Sequence, residues 1–219
     1  MKIPLIHILM IDKIVTHSKT VLDIAKSHNW LIGAKYTNLR DVATFEKVHF
    51  IDIDWKNYNF ERHLDAVKKL MPKYTVAKDW EEANELSNLL GQVDILSKYC
   101  EHVIIVPKVD ALKEKMLNLI PKEFMLGYSV PTKYGGTTIE PQYFDERPVH
   151  LLGGRPEKQR ELGKILNVRS IDGNRFTLDA GFGDYFDGVK FRPHPRGGYK
   201  VCIEDSIKNI NQIWKNYGQ

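Results

Sequence analysis

The residues best placed to do chemistry lie between Val149 and Asn174. That stretch opens Val149-His150-Leu151-Leu152-Gly153-Gly154-Arg155-Pro156 and closes Val168-Arg169-Ser170-Ile171-Asp172-Gly173-Asn174. It predicts a buried strand, a Gly-Gly turn, a helix with Pro156 in its first position, and a second strand ending in a carboxylate. A helix N-terminus behind two glycines can hold a phosphate on free backbone N–H groups. An acid at the end of the next parallel strand lies where such folds do chemistry. A phosphate grip beside a carboxylate suits an enzyme acting on a nucleotide or sugar-phosphate. The plainer alternative is an ordinary βαβ unit with a glycine turn and a surface aspartate.

These groups need a frame to hold them. Short β-branched runs at Leu5–Met10, Leu31–Tyr36, Val48–Ile53, Tyr74–Ala77, His102–Val106, Phe124–Tyr128, Val149–Leu152 and Val168–Ile171 are strand candidates. Several are apolar throughout, as strands covered on both faces must be. Between them lie helical stripes: Leu64, Val67, Leu70 and Met71; Leu86, Leu89, Leu90, Val93 and Leu96; Leu162, Ile165 and Leu166. Thr16–Asn29 also suits a helix, and a closing helix is expected at about 203–217 from Ile203, Ile207, Ile210 and Trp214. Alternation of this kind predicts an α/β chain forming one compact (β/α)8 TIM-type barrel over residues 1–219, with some helices short or missing. A doubly wound open sheet uses the same alternation. No GxGxxG follows the first strand and no GxxxxGK[ST] occurs, so dinucleotide and P-loop readings lose their main support.

In a parallel barrel, the strand ends carry function. The third candidate strand runs into Asp52 and Asp54, two residues apart and expected on one face. A buried acid pair is costly unless bonded, neutralised or used. One could equally cap the following helix while the other meets a lysine. The fourth strand ends at Lys78 and Asp79, where Asp79 could be a helix N-cap. The fifth ends at Lys108 and the sixth at Gly127, Tyr128 and Ser129. Lys78 and Lys108 can each neutralise a carboxylate at the mouth or simply face water. His63, His150 and His194 lack metal-ligand spacing and read as structural; no metal or cofactor is expected.

Composition bounds the rest. The chain has 219 residues, 42% hydrophobic and 27% charged, with a formal charge of +4, which is globular rather than disordered. Lys190, Arg192, Arg196 and Lys200 gather near the C-terminus, a candidate contact for a polyanion. Two distant cysteines, Cys100 and Cys202, argue against a disulfide scaffold or a Cys-rich zinc site. The N-terminal apolar run is too short to span a bilayer. The expectation is a cytoplasmic protein with no membrane partner.

The run Leu151-Leu152-Gly153-Gly154-Arg155-Pro156-Glu157, followed by Ser170-Ile171-Asp172, is similar to the phosphate-binding turn and nucleophile strand of tRNA-guanine transglycosylases. Met125-Leu126-Gly127-Tyr128-Ser129-Val130 resembles their glycine-containing, base-receiving strand. Asp79 falls where they carry a base-reading aspartate, and Asp52 or Asp54 near their general base. The likeness covers roughly residues 48–175 in the family's order. It is strongest to the compact branch that inserts 7-deazaguanine bases into DNA. The chain cannot build the three-cysteine, one-histidine zinc site of the tRNA-modifying members. It also has Asp52-Ile53-Asp54-Trp55 in place of their Asp-Ser-Gly-Gly-Phe motif. Both departures point away from a standard tRNA substrate.

The resemblance implies base exchange through a covalent glycosyl intermediate, with Asp172 as nucleophile and Asp52 or Asp54 as acid/base partner. It implies a guanine edge read by Asp79, a base pocket lined by Gly127, Tyr128 and Ser129, and a phosphate held by Gly153, Gly154 and Arg155. The partners implied are a nucleic acid, DNA before tRNA, and a 7-deazaguanine base. Trp55 would stack on a flipped nucleotide while Lys190, Arg192, Arg196 and Lys200 follow the backbone. Two other readings stay open: a barrel acting on a free nucleotide or sugar-phosphate, and a nucleic-acid-binding barrel without turnover.

Overall fold

A computed structural model describes residues 11–133 and 135–218. Eight parallel strands close into a barrel: β1 (Asp12–Thr16), β2 (Leu31–Lys35), β3 (Phe50–Asp52), β4 (Tyr74–Val76), β5 (His102–Ile105), β6 (Met125–Ser129), β7 (Pro148–Leu152) and β8 (Asn167–Asp172). The ring is completed by β1 against β8, with Ile14 opposite Asp172. The fold is therefore the compact (β/α)8 barrel expected, and not an open doubly wound sheet.

Ile14, Phe50, Tyr74, Val76, Ile104, Val106 and Met125 fill the interior as one apolar cluster. The alternate residues, such as Val15, Ile51, Leu126, Leu151 and Ile171, face the outer layer. Side chains on both faces of each strand are thus withdrawn from water, which explains the unbroken apolar runs. The helices are α1 (Lys19–Ser27), α2 (Phe60–Leu70), α3 (Leu86–Leu96), the single turn α4 (Met116–Leu119), α5 (Pro156–Leu162), α6 (Arg175–Ala180) and α7 (Tyr199–Ile213). Among the described residues, only 3-10 turns, Arg40–Val42 and Pro141–Phe144, stand in the β2–β3 and β6–β7 connections. Between α6 and α7 a hairpin, β9 (Asp184–Phe186) and β10 (Phe191–Pro193), packs on α7.

Helix α2 shows how sequence sets an element. Asn59 caps its start by accepting the Arg62 N–H at 3.0 Å, and Met71 ends it in the left-handed conformation. Its buried face presents His63, whose Nε2 lies 2.7 Å from Thr75 Oγ1 on the outer side of β4. Burial pushes the His63 imidazole down to about 4, so it is a neutral packing histidine.

Two expectations change. The expected first strand, Leu5–Met10, lies outside the described residues; the strand that closes the barrel is Asp12–Thr16, partly inside the expected helix Thr16–Asn29. Its two leading charges hid it. Asp12 is satisfied at the base of the barrel by Lys73 Nζ at 2.5 Å and Tyr74 OH at 2.7 Å. The closing helix runs from Tyr199 to Ile213, earlier at both ends than the expected 203–217; Gly197 and Gly198, both at positive φ, set its start.

Candidate active site

The C-terminal ends of the strands bring Asp52, Asp79, Lys108 and Asp172 to one mouth. Asp172 ends β8 on the interior face, opposite Ile14. Its Oδ1 accepts the Gly153 N–H at 2.9 Å. Gln159, buried on α5, donates its side-chain amide to Gly153 O at 2.8 Å and to Asp172 O at 2.7 Å. Strand end, turn and helix are thus tied together around one carboxylate.

The Gly-Gly turn consequently does not offer all the free amides expected of a phosphate grip. The Gly153 amide is committed to Asp172, Pro156 has no N–H, and α5 is only seven residues long. Gly153 and Gly154 both hold positive φ, +61° and +81°. A Cβ on Gly154 would sit 2.4 Å from Val130 Cγ1, so an alanine there is excluded by neighbour and backbone alike. Gly154→Ala is expected to destabilise by about 2–3 kcal/mol, measured by urea unfolding. Arg155 reaches across the turn, 5.7 Å from the Phe191 ring of β10.

Asp52 and Asp54 do not share a strand face. Strand β3 ends at Asp52, which follows Phe50 on the interior side. Asp54 lies in the turn beyond, accepting the Lys56 N–H at 3.3 Å. Of these two, only Asp52 is an interior acid. Burial, reinforced by the Asp172 charge, pushes its carboxyl up to about 7; the Ile53 N–H at 2.8 Å and Lys35 pull the other way more weakly.

Asp79 is not a helix cap. The next helical turn starts at Ala83, after Glu82, while Trp80 bridges to Pro107 and extends the β4–β5 pairing. That extension sets Asp79 Oδ2 2.5 Å from Lys108 Nζ. Lys78 turns instead to Glu85 at 2.6 Å. Both lysines therefore neutralise acids at the mouth.

Tyr128 departs from its expected place in the base pocket. It faces outward from β6, buried edge-on against Phe144 at 5.1 Å. Gly127 faces inward one layer below the mouth, where Val106, Ile104 and Leu152 leave no room for a Cβ. Ser129 alone of the three stands at the rim, its N–H held by Thr137 Oγ1 at 3.0 Å.

Trp55 is 65% exposed in the turn after β3, with Lys56 Nζ 5.2 Å from its ring. The basic group is partly spoken for. Arg192 pairs with Asp187, and Arg196 lies 3.8 Å from Asp205. Lys190 and Lys200 make no salt bridge among the described residues. No three His, Cys, Asp or Glu side chains gather as a metal site would need among those residues.

The sequence alone reads His150 as structural and gives it no place in the site. It is wholly buried inside the barrel, with Nε2 3.4 Å from Asp172 Oδ1 and Nδ1 2.8 Å from Ser170 Oγ. A histidine within an apolar run carries no spacing signal. Its in-phase position with Leu152 on β7 was the one available hint.

The YdjI aldolase from Escherichia coli K12 has a similar structure, with a TM-score of 0.57 at 10% identity. The match covers 95% of this chain and 93% of that one. At such identity the likeness is one of fold. No curated protein matches the sequence. A family model does match, over residues 25–215, and the chain belongs to that family, DUF6610, whose members are described as being of unknown function.

Proposed function

We propose that the protein is a base-exchange glycosyltransferase that replaces guanine in nucleic acid, DNA before tRNA, by a 7-deazaguanine. The observation that carries this reading is the unequal acid pair at the barrel mouth. Asp52 is held protonated up to about pH 7, while Asp172 receives a backbone N–H. A carboxyl raised in this way can serve as the acid while a neighbouring carboxylate attacks.

In this reading a carboxylate oxygen of Asp172 attacks C1′ of the target nucleotide. The C1′–N9 bond breaks, and Asp52 gives its proton to the departing guanine. The incoming base loses its N9 proton to Asp52 and attacks C1′, breaking the glycosyl ester and freeing Asp172. Every proton taken is returned, and no cofactor is consumed. Asp52 rather than Asp54 serves as acid/base, because Asp54 lies outside the interior face. Asp79, fixed by Lys108, takes the guanine edge beside Ser129. Gly154 and Arg155 remain to meet the phosphate, with Trp55 exposed to stack on an extruded base. Lys190 and Lys200 lead the contact with the polymer backbone, Arg192 and Arg196 joining it if their acid partners yield.

The reading places the protein in the cytoplasm with its nucleic-acid substrate. No helix among the described residues is long and apolar enough to cross a membrane. The test is base exchange itself. Purified protein is incubated separately with duplex DNA and with tRNA, plus 7-cyano- or 7-aminomethyl-7-deazaguanine, and each polymer is digested for nucleoside mass spectrometry. A deazaguanine nucleoside in the DNA digest is expected. Absence of product from both polymers contradicts the proposal.

A further inference from the structure

Beneath Asp172 the barrel interior is not wholly apolar. His150 lies there with no exposure, its ring stacked 5.4 Å from Phe50 and 6.5 Å from Tyr74. Its two nitrogens face two groups on β8: Nδ1 meets the Ser170 hydroxyl at 2.8 Å, and Nε2 sits 3.4 Å from Asp172 Oδ1. Nε2 makes no hydrogen bond among the described residues, and the Asp172 carboxylate is the charged group that faces it.

A register shift builds this juxtaposition. Val149 pairs with Val168, but His150 pairs with Ser170, so Arg169 is an extra residue in β8. Val168 belongs to the outer apolar cluster, whereas Ser170, two residues on, faces the interior. Were β8 regular from Val168, with Arg169 paired and turned inward, Ser170 and Asp172 would turn outward. Bulges beside active sites commonly re-aim side chains in this way.

The ring's protonation follows from its surroundings. A lone pair on Nε2 would point at a carboxylate oxygen across 3.4 Å of dry interior, which is repulsive. A proton on Nε2 donates toward that oxygen instead, leaving Nδ1 to accept from the Ser170 hydroxyl. The second nearby acceptor for that hydroxyl, Met125 Sδ, is 3.9 Å away and weaker.

We propose that His150 is the positioning residue for Asp172, carrying its proton on Nε2, aimed at Oδ1, and thereby leaving Oδ2 as the attacking oxygen. The role rests on the reading of Asp172 as nucleophile. Oδ1 then accepts the Gly153 N–H and faces the His150 Nε2–H dipole 3.4 Å away, and the carboxylate is oriented between them. The titratable groups around His150 are Asp172 on β8 and Tyr74 on β4. Asp52 lies beyond the first, and Asp12, on the Tyr74 hydroxyl, beyond the second.

The experiment has an arm that needs no catalysis. Nitrogen-15 spectra of the histidine rings report the His150 tautomer, and carbon-13 spectra of the aspartate carboxyls report the Asp172 midpoint. Wild type is expected to hold the Nε2–H tautomer throughout the titration. In His150→Phe, which keeps the ring stack, the Asp172 midpoint should rise by about one pH unit, a tenfold gain in proton affinity. In the exchange assay the same variant should lose about tenfold in kcat with KM unchanged, its acidic limb moving up by the same interval. His150→Gln, with an amide N–H in reach of Oδ1, should recover part of both. Ser170→Ala removes only a hydroxyl and should mix the tautomers, so it decides the matter if His150→Phe fails to fold. An Nδ1–H tautomer in wild type overturns the proposal, as does an Asp172 midpoint unmoved in either variant. Coupling seen by NMR in a protein without exchange activity supports the His150–Asp172 pairing and overturns the base-exchange reading alone.

Discussion

Asp52→Asn is expected to yield a protein that is harder to unfold than the wild type above pH 7 and slower in exchange by about 10²–10⁴-fold. The stability change follows from proton linkage. In the unfolded chain Asp52 releases its proton near 3.8, and in the barrel mouth near 7. The folded state therefore binds the proton more tightly. Wild-type stability from this group is fully present below about pH 4 and is lost as pH rises to about 7. Asparagine has the same shape and nothing to ionise, so it avoids the loss. Asp52 is partly open to the mouth and water screens it, so a gain of about 2 kcal/mol, or about 4–8 °C, is expected at pH 8. Thermal melts of both proteins from pH 4 to 8 give the check: the difference should grow with pH and level off above 7. A constant difference would mean that Asp52 is not the shifted acid. The catalytic loss has a separate cause, since an amide can neither protonate the leaving base nor deprotonate the incoming one.

The sequence made the polar end of the barrel legible wherever side-chain type alone was decisive. Gly153, Gly154 and Pro156 announced a turn and a helix start, and the turn and α5 lie there. Asp52 and Asp172 announced interior acids at strand ends, and both face the mouth. Strand phase was not legible. In Met125-Leu126-Gly127-Tyr128 every residue is apolar or small, so nothing in the run distinguishes the inner face from the outer, and Tyr128 was assigned to the wrong side. The same blindness covered the extra residue at Arg169, which alone brings Ser170 and Asp172 inward. Strand β1 escaped notice because Asp12 and Lys13 resemble a loop until Lys73 and Tyr74 are seen to satisfy Asp12. The work of the Gly-Gly turn also depends on tertiary structure. Its amide reaches Asp172 only because β7 and β8 are neighbours in the sheet.

Asp172→Asn should abolish exchange, by at least about 10⁴-fold, with little change in fold. An asparagine oxygen still accepts the Gly153 N–H, and the Gln159 bond goes to the backbone carbonyl, which the substitution leaves alone. The substitution therefore removes the attacking carboxylate and not its surroundings. Binding to DNA should survive, because the contacts expected from Lys190 and Lys200 lie on the hairpin and the start of α7, away from β8.

The covalent intermediate offers the most direct measurement. Wild type, Asp52→Asn and Asp172→Asn are each incubated with a short guanine-containing duplex, denatured, and resolved on a denaturing gel, and any protein–DNA band is digested for peptide mass spectrometry. The account predicts a denaturant-stable band in the wild type, with the deoxyribosyl group on the peptide carrying Asp172, and none in Asp172→Asn. Exchange without such a band, or a sugar mapped to Asp52, would contradict it.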